Sequence, residues 1–450
     1  MKINWRTWLP LSTLAVCGVG GYAGWKLTGI PDAGAELQAE VEAATKLGLP
    51  LTADDMRQLA HAEPAQNAAR YYGVLARFEP SDPAMRNLNL LAQNEKYGFT
   101  RSERALLRHE LAAIKRELDT LVTASTFPRL DMKRMWEQVP LVPVSEPSRF
   151  RMVAKCFVLR ANQSSLAARP LEALRDVEAL FGLARQAAQE PCTDGIYGAN
   201  SLYTSGFSAV ENVCLKHPTN REVLSQALRI VEGMRLPDVR PGLAGETFVG
   251  LNTIRLLAAD PDAFGDRQEL GSLALLRYTS VRRAFEAKLL KHQRQLYEDL
   301  PSDPEDYKSL TKALIEAEAR EDSDEGLVSQ AARILYPYAT SLGDAMATLN
   351  ARRSIAKVAI MLLQRERPFP KKLELPIDPF SEKPLRYVSS GDGFLLYSLG
   401  RDRDDDGGMA RYDAARLSGE DLRWRYPAIT PKRPPAIGGP APSGPPLGVK

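Results

Sequence analysis

Between Asp402 and Gly408 the chain reads Asp-Arg-Asp-Asp-Asp-Gly-Gly, with four carboxylates and two glycines in seven residues. Carboxylates so crowded repel one another unless water separates them or a cation sits among them. Asp402, Asp404 and Asp406 take positions 1, 3 and 5 of a twelve-residue loop, Gly407 takes position 6 and Asp413 position 12. That spacing wraps oxygen ligands around Ca2+, with one departure: position 12 is ordinarily a bidentate Glu, and Asp reaches less far. Two readings stand, a calcium site built from Asp402, Asp404, Asp406 and Asp413, or a solvated acidic cap.

Other chemistry is not spelled out. His61, His109, His217 and His292 are scattered without paired-ligand spacing. No nucleophile elbow, phosphate-cradling Gly-rich loop or Cys-x-x-Cys pair occurs. The glycines between 18 and 24 lie inside a hydrophobic segment, where they suit close helix packing. Two helix-borne carboxylates meeting in a cleft would make an acid/base pair, but spacing does not separate such a pair from solvated faces.

The acidic turn needs something to carry it. Leu385 to Val388 and Phe394 to Leu399 are short aromatic and aliphatic runs separated by Ser-Ser-Gly-Asp-Gly, which predicts a β-hairpin reversing on Gly391 and Gly393. Residues 421–427 alternate well enough for a third strand. Leu349, Ile355, Val358, Leu362 and Leu363 give the preceding helix an apolar face expected to pack on this sheet.

With those residues in place, the order Asp378-Pro379-Phe380, Lys383-Pro384-Leu385-Arg386-Tyr387, Gly393-Phe394-Leu395-Leu396-Tyr397-Ser398-Leu399-Gly400 and an Asp/Gly-rich turn resembles the C-terminal β-region of the major pseudopilin of type II secretion. The likeness covers about 60 of 450 residues, with the helical lead-in from Ala351 included. It implies a small sheet packed on a helix, an acidic loop that binds calcium, and a link to secretion or pilus-like assembly. Pseudopilins also carry a short leader cut before a Phe, which has no counterpart here. The chain looks closer to large bacterial proteins that place this module after a long helical region and a single N-terminal hydrophobic segment.

Residues 7–25 form that segment, uncharged and preceded by Lys2 and Arg6. As a helix its nineteen residues span about 28 Å, near the hydrocarbon thickness of a bilayer. Trp5 and Trp8 at one end with Tyr22 and Trp25 at the other match interfacial aromatic belts, which favours an uncleaved anchor with a cytoplasmic N-terminus. A signal peptide cut near Gly21-Tyr22-Ala23, or lipidation at Cys17, are the alternatives. All three export the chain. In an oxidising compartment Cys192 and Cys214 could form a disulfide with Cys156 left over, and three buried free thiols are the plainer expectation.

Residues 36–367 read as helix after helix. Thr100 to Glu103 is a capping box opening a helix of roughly 25 residues, and Thr219 to Glu222 is a second box. A helical hairpin spans 150–189, its second helix opening on Pro170, and is faintly like one tetratricopeptide unit without the recurrence of an array. The region 316–325 is acidic enough for an exposed loop or frayed end, and 331–367 should hold a last pair of helices. Seven prolines and four glycines make 428–450 a disordered tail.

The fold expected is therefore mainly α, an irregular bundle or solenoid-like domain with a small antiparallel β module, preceded by one transmembrane helix. Its parts are an anchor over 1–30, a helical domain over 31–345, a pseudopilin-like module over 346–427 and the tail. A net charge of only +3 argues against a nucleic-acid binder, and the basic stretch Arg282 to Arg294 is interleaved with acids as a solvated helix face would be. The functional expectation is a non-enzymatic, single-pass inner-membrane protein whose extracytoplasmic body meets a protein partner in the cell envelope. The alternative is an extracytoplasmic hydrolase or ligand-binding protein with a carboxylate cleft in the helical domain.

Overall fold

A computed structural model describes residues 33–139, 146–260, 276–322, 339–408 and 421–428. The helices in chain order are α1 (Gly34–Lys46), α2 (Ala53–Ala60), α3 (Pro83–Asn94), α4 (Arg101–Ala113), α5 (Lys115–Ser125), α6 (Glu146–Leu166), α7 (Pro170–Ala187), α8 (Thr193–Lys216), α9 (Arg221–Gly233), α10 (Arg240–Ala259), α11 (Thr279–Asp299), α12 (Tyr307–Asp322) and α13 (Ala339–Leu363). Three strands follow: β1 (Arg386–Ser389), β2 (Phe394–Ser398) and β3 (Leu422–Tyr426). The segment 7–25, Asp413 and the tail beyond 428 lie outside the described residues, and no described helix is long and apolar enough to cross a membrane.

The centre of the body is the trio α6, α7 and α8, each packed on the other two. Phe157, Leu159, Leu174, Leu180 and Leu202 are fully buried there, and each such side chain contributes about 1.5–3 kcal/mol by leaving water. The expected hairpin is present, with Pro170 in the first turn of α7. A 3-10 segment, Ala68–Phe78, and α5 cover one flank, while α9 and α13 cover the other. A second cluster joins α1, α10 and α11 through Ala44, Leu251, Ile254, Phe285 and Leu289. Along α11, Arg294 pairs with Glu40 at 2.8 Å and with Glu298 at 3.0 Å, so this basic stretch is tied into ion pairs.

Several local expectations change under tertiary packing. The box at Thr100 and Glu103 forms, but the helix it opens breaks at Ile114, whose backbone leaves the helical region while its side chain is fully buried. The break turns α5 away from the α3 side and onto the 3-10 segment and α7. At the second site Asn220, not Thr219, caps α9 by accepting from the Val223 N–H. Glu316 to Asp322 belong to α12 rather than a loop, held by buried Leu314 and Ala317 and by an Arg320–Asp299 ion pair of 2.9 Å. Cys156, Cys192 and Cys214 are all buried free thiols, so Cys192 and Cys214 are not joined.

The sheet is antiparallel in the order β1-β2-β3, with Tyr387 opposite Leu396 and Leu396 opposite Trp424. Of the two hairpin glycines, only Gly391 takes a positive φ, at 75°. Gly393 serves a different need: a Cβ there would lie 2.7 Å from the Tyr426 carbonyl oxygen on β3. Phe394, Leu396 and Trp424 enter the same apolar core as Ala356, Ala359 and Ile360 of α13, so the sheet docks on the final helix as expected. Phe369 meets the Phe394 ring edge-on at 5.1 Å and closes the far end.

Candidate metal centre

Asp378, one of the most buried acids, sets the frame of the site. At 1% exposure its carboxylate accepts from Phe380 N at 3.1 Å, Ser381 Oγ at 2.9 Å, Ser398 Oγ at 2.7 Å and Leu399 N at 3.2 Å. This ties the Asp-Pro turn to the end of β2 and fixes where the chain leaves the sheet. The acidic turn begins at Asp402, two residues after Gly400, whose N–H donates to Ser398 Oγ.

Within the turn, the Asp402 carboxylate accepts the Asp404 N–H at 3.3 Å, and both side chains are exposed. Asp406 is half-buried. Asp405, which the 1-3-5 spacing skips, is the residue bound to the sheet: it accepts from Tyr397 Oη at 3.0 Å and from Gly407 N at 3.0 Å, with Arg386 Nε 3.5 Å away. The Gly407 N–H, the Tyr397 hydroxyl and the Arg386 charge hold its carboxyl below the usual range. Burial and the Asp405 hydrogen bond push the Tyr397 phenol up to about 12. Gly407 and Gly408 both have positive φ, and a Cβ on Gly408 would sit 2.8 Å from Leu395 Cδ2. The glycine pair thus lets the chain fold back against β2.

Fold-back brings the turn against Asp421, at the entrance to β3. Asp421 is 5% exposed; its Oδ2 accepts the Gly408 N–H at 2.8 Å, while its Oδ1 is buried with no hydrogen-bond partner among the described residues. Burial, reinforced by the negative charges of Asp406, Asp405 and Asp402, raises its carboxyl to about 6 against the pull of the Gly408 N–H. An orphaned, buried carboxylate oxygen facing three further carboxylates is the setting in which a hard cation gains most from oxygen ligands. Among the described residues no three acidic, imidazole or thiol side chains already converge as a ligand set, and Asp413 is outside them. Asp402, Asp404 and Asp406 therefore share the turn without being gathered at one point. Motif spacing missed Asp421 because it lies outside the twelve-residue window; its signal was an acid standing directly before an alternating strand.

The turn is wired to the helical body. Arg423 Nη1 donates to the Gly408 carbonyl at 2.9 Å, and Arg401 pairs with Asp344 of α13 at 2.6 Å. Behind β3, burial raises Glu211 of α8 to about 7, opposed by the nearby charges of Arg352 on α13 and Arg423. Elsewhere in the body, Glu246 and Asp194 are neighbouring carboxylates, both held above their ordinary range chiefly by burial. Glu246 accepts from Thr193 N and Oγ1 at 2.7 Å each, so it caps the start of α8. Ser165 Oγ lies 3.0 Å from His217 Nε2, but the same nitrogen is 3.2 Å from the Ser165 carbonyl, as a bond closing the ends of α6 and α8 would be. Comparison with protein-family models, curated proteins and solved structures finds no match to this chain.

Proposed function

We propose that this chain is a single-pass, membrane-anchored extracytoplasmic protein that works by interaction rather than catalysis, with a calcium-stabilised, pseudopilin-like module closing the end of its helical body. The observation that carries the ion is the Asp421 carboxylate, buried and half-satisfied against the acidic turn. Asp421 with Asp402, Asp404 and Asp406 would supply hard oxygen ligands, and a Ca2+ there would join the turn to the start of β3. Asp413 stays in the proposed set from the loop spacing. Support for the anchor comes from the uncharged, aromatic-flanked segment 7–25. The envelope partner and the link to secretion or pilus-like assembly rest on the resemblance of residues 378–408.

The two halves are tested separately. Full-length protein recovered in alkali-washed membranes, and cut by protease added to the outer face of the cytoplasmic membrane, supports the anchor. A soluble form beginning near Gly24 overturns it. Asp402→Ala with Asp406→Ala should lower the melting temperature in calcium but not in chelator, where loss of their repulsion on Asp421 raises it slightly if at all. Equal melting of the wild type with and without the ion ends the calcium reading.

A further inference from the structure

A cleft of about 840 Å³, which shares no lining residue with the acidic turn, lies between the end of α5, α7, α8 and the connection from α9 to α10. The volume falls in the range of about 300–1,000 Å³ typical of small-molecule sites. Gly182 makes room for its wall: a Cβ there would lie 2.4 Å from the Ser125 carbonyl oxygen, so only glycine lets α7 approach α5 this closely. Phe181, Ile230 and Met234 form an apolar floor, each less than a tenth exposed.

Polar groups around that floor are mostly donors. Arg129, Arg185, Arg229 and Arg235 line the cleft against only two acids, Glu178 and Asp238. Arg185 is steadied by long bonds to the Ser125 and Phe127 carbonyls, 3.3 Å each, and Arg129 donates to the His61 carbonyl at 3.0 Å. Neither has a carboxylate partner among the described residues; Arg235 makes no hydrogen bond there, and its charge acts on Glu305. Arg229 meets Glu178 at 3.4 Å. Asp238 is already engaged by the Arg240 N–H at 3.0 Å.

The second observation is Tyr203. It is 3% exposed and lines the cleft, with its ring packed 5.5 Å from Phe181, yet its hydroxyl makes no hydrogen bond to a described residue. That oxygen is not among the fully enclosed unpartnered atoms, so it opens onto the cleft, where an acceptor can reach it. The Arg185 charge acts on that phenol, working against the upward push of burial on its ionisation. The unmet groups are thus a hydroxyl and guanidinium N–H groups, and what they lack is an acceptor.

We infer that this cleft binds a small amphipathic organic anion, its carboxylate or phosphate head held by Tyr203 and Arg185 and its apolar body lying on Phe181, Ile230 and Met234. Arg129, Arg229 and Arg235 set the sign of the field at the mouth. The site stands independently of calcium and of where the chain resides.

The test is isothermal titration calorimetry on the full chain in a neutral detergent. Phenyl phosphate and 4-phenylbutyrate serve as probes for the two head groups, and inorganic phosphate and benzyl alcohol each carry half of the chemistry. At least one of the two amphipathic anions should bind, and the stronger identifies the head group. Each half-probe should bind at least tenfold more weakly. Tyr203→Phe should weaken the stronger anion about tenfold, the effect of one hydrogen bond to a charged group, with melting unchanged because the hydroxyl bonds to nothing in the fold. Arg185→Gln should cost as much or more. Arg108→Gln, on an exposed face of α4, should cost nothing. Benzyl alcohol binding as tightly as the anions, neither anion binding, or affinities untouched by Tyr203→Phe and Arg185→Gln would each overturn the inference.

Discussion

Replacing Asp421 by Asn should change the sign of its effect on stability with calcium. Without the ion, the wild type keeps a carboxylate oxygen buried and unbonded, a group that costs about 1–3 kcal/mol. The negative charges of Asp402, Asp405 and Asp406 act in the same direction. Asn has nearly the same volume, its carbonyl can still accept the Gly408 N–H, and its amide offers donors to the neighbouring carboxylates. In chelator, Asp421→Asn should therefore stabilise the module by about 1–2 kcal/mol, the lower half of that range, because the turn is largely solvated. In calcium at a hundred times the dissociation constant, the wild type gains about 2.7 kcal/mol, and the variant, short of its buried ligand, gains little. The order then reverses, with Asn behind by about 1 kcal/mol. Amide hydrogen exchange of β2 reads this locally, with no requirement that the whole chain unfold in one step. The same rank order in calcium and in chelator, with Asn below the wild type in both, would refute the reasoning and leave Asp421 as a simple cap for Gly408.

Two further substitutions probe how the module is held. Phe394→Ala empties a site 2% exposed between Phe369, Tyr387 and Tyr426, and should cost about 3–5 kcal/mol and expose residues 369–428 to limited proteolysis before the helical body is cut. Glu211 is raised from 4.5 to about 7 in the folded chain, so its contribution to stability is fully present below pH 4.5 and lost as the pH rises through 7. Glu211→Gln should flatten the fall in stability across that window, measured by urea denaturation at successive pH values.

Much of the architecture was legible because local and tertiary forces agree. Thr100 and Glu103 cap a helix whatever surrounds them, and Phe394, Leu396 and Trp424 alternate as a half-buried sheet must. The misses fall where packing overrides the local pattern. Nothing in the run from Leu107 to Leu121 marks Ile114 as a break, since the break arises from two halves packing on different neighbours. The acidic stretch from Glu316 looked like a loop because the contact that anchors it, Arg320 pairing with Asp299, is made to another helix. At the candidate metal centre a spacing rule found the turn and not Asp421, which reaches it only when Gly407 and Gly408 fold the chain back. The cleft around Tyr203 had no linear signature, because its arginines come from three separate stretches of chain.

Tyr397 stands beside the acidic turn, its hydroxyl on Asp405, so a lanthanide in the same site would be excited through its ring. Terbium luminescence on the full chain, titrated and then competed with calcium, measures the ion directly. The account predicts sensitised emission saturating at one ion per chain, displaced by calcium and abolished by Asp421→Asn. Emission that is absent, or that survives Asp421→Asn unchanged, would contradict it.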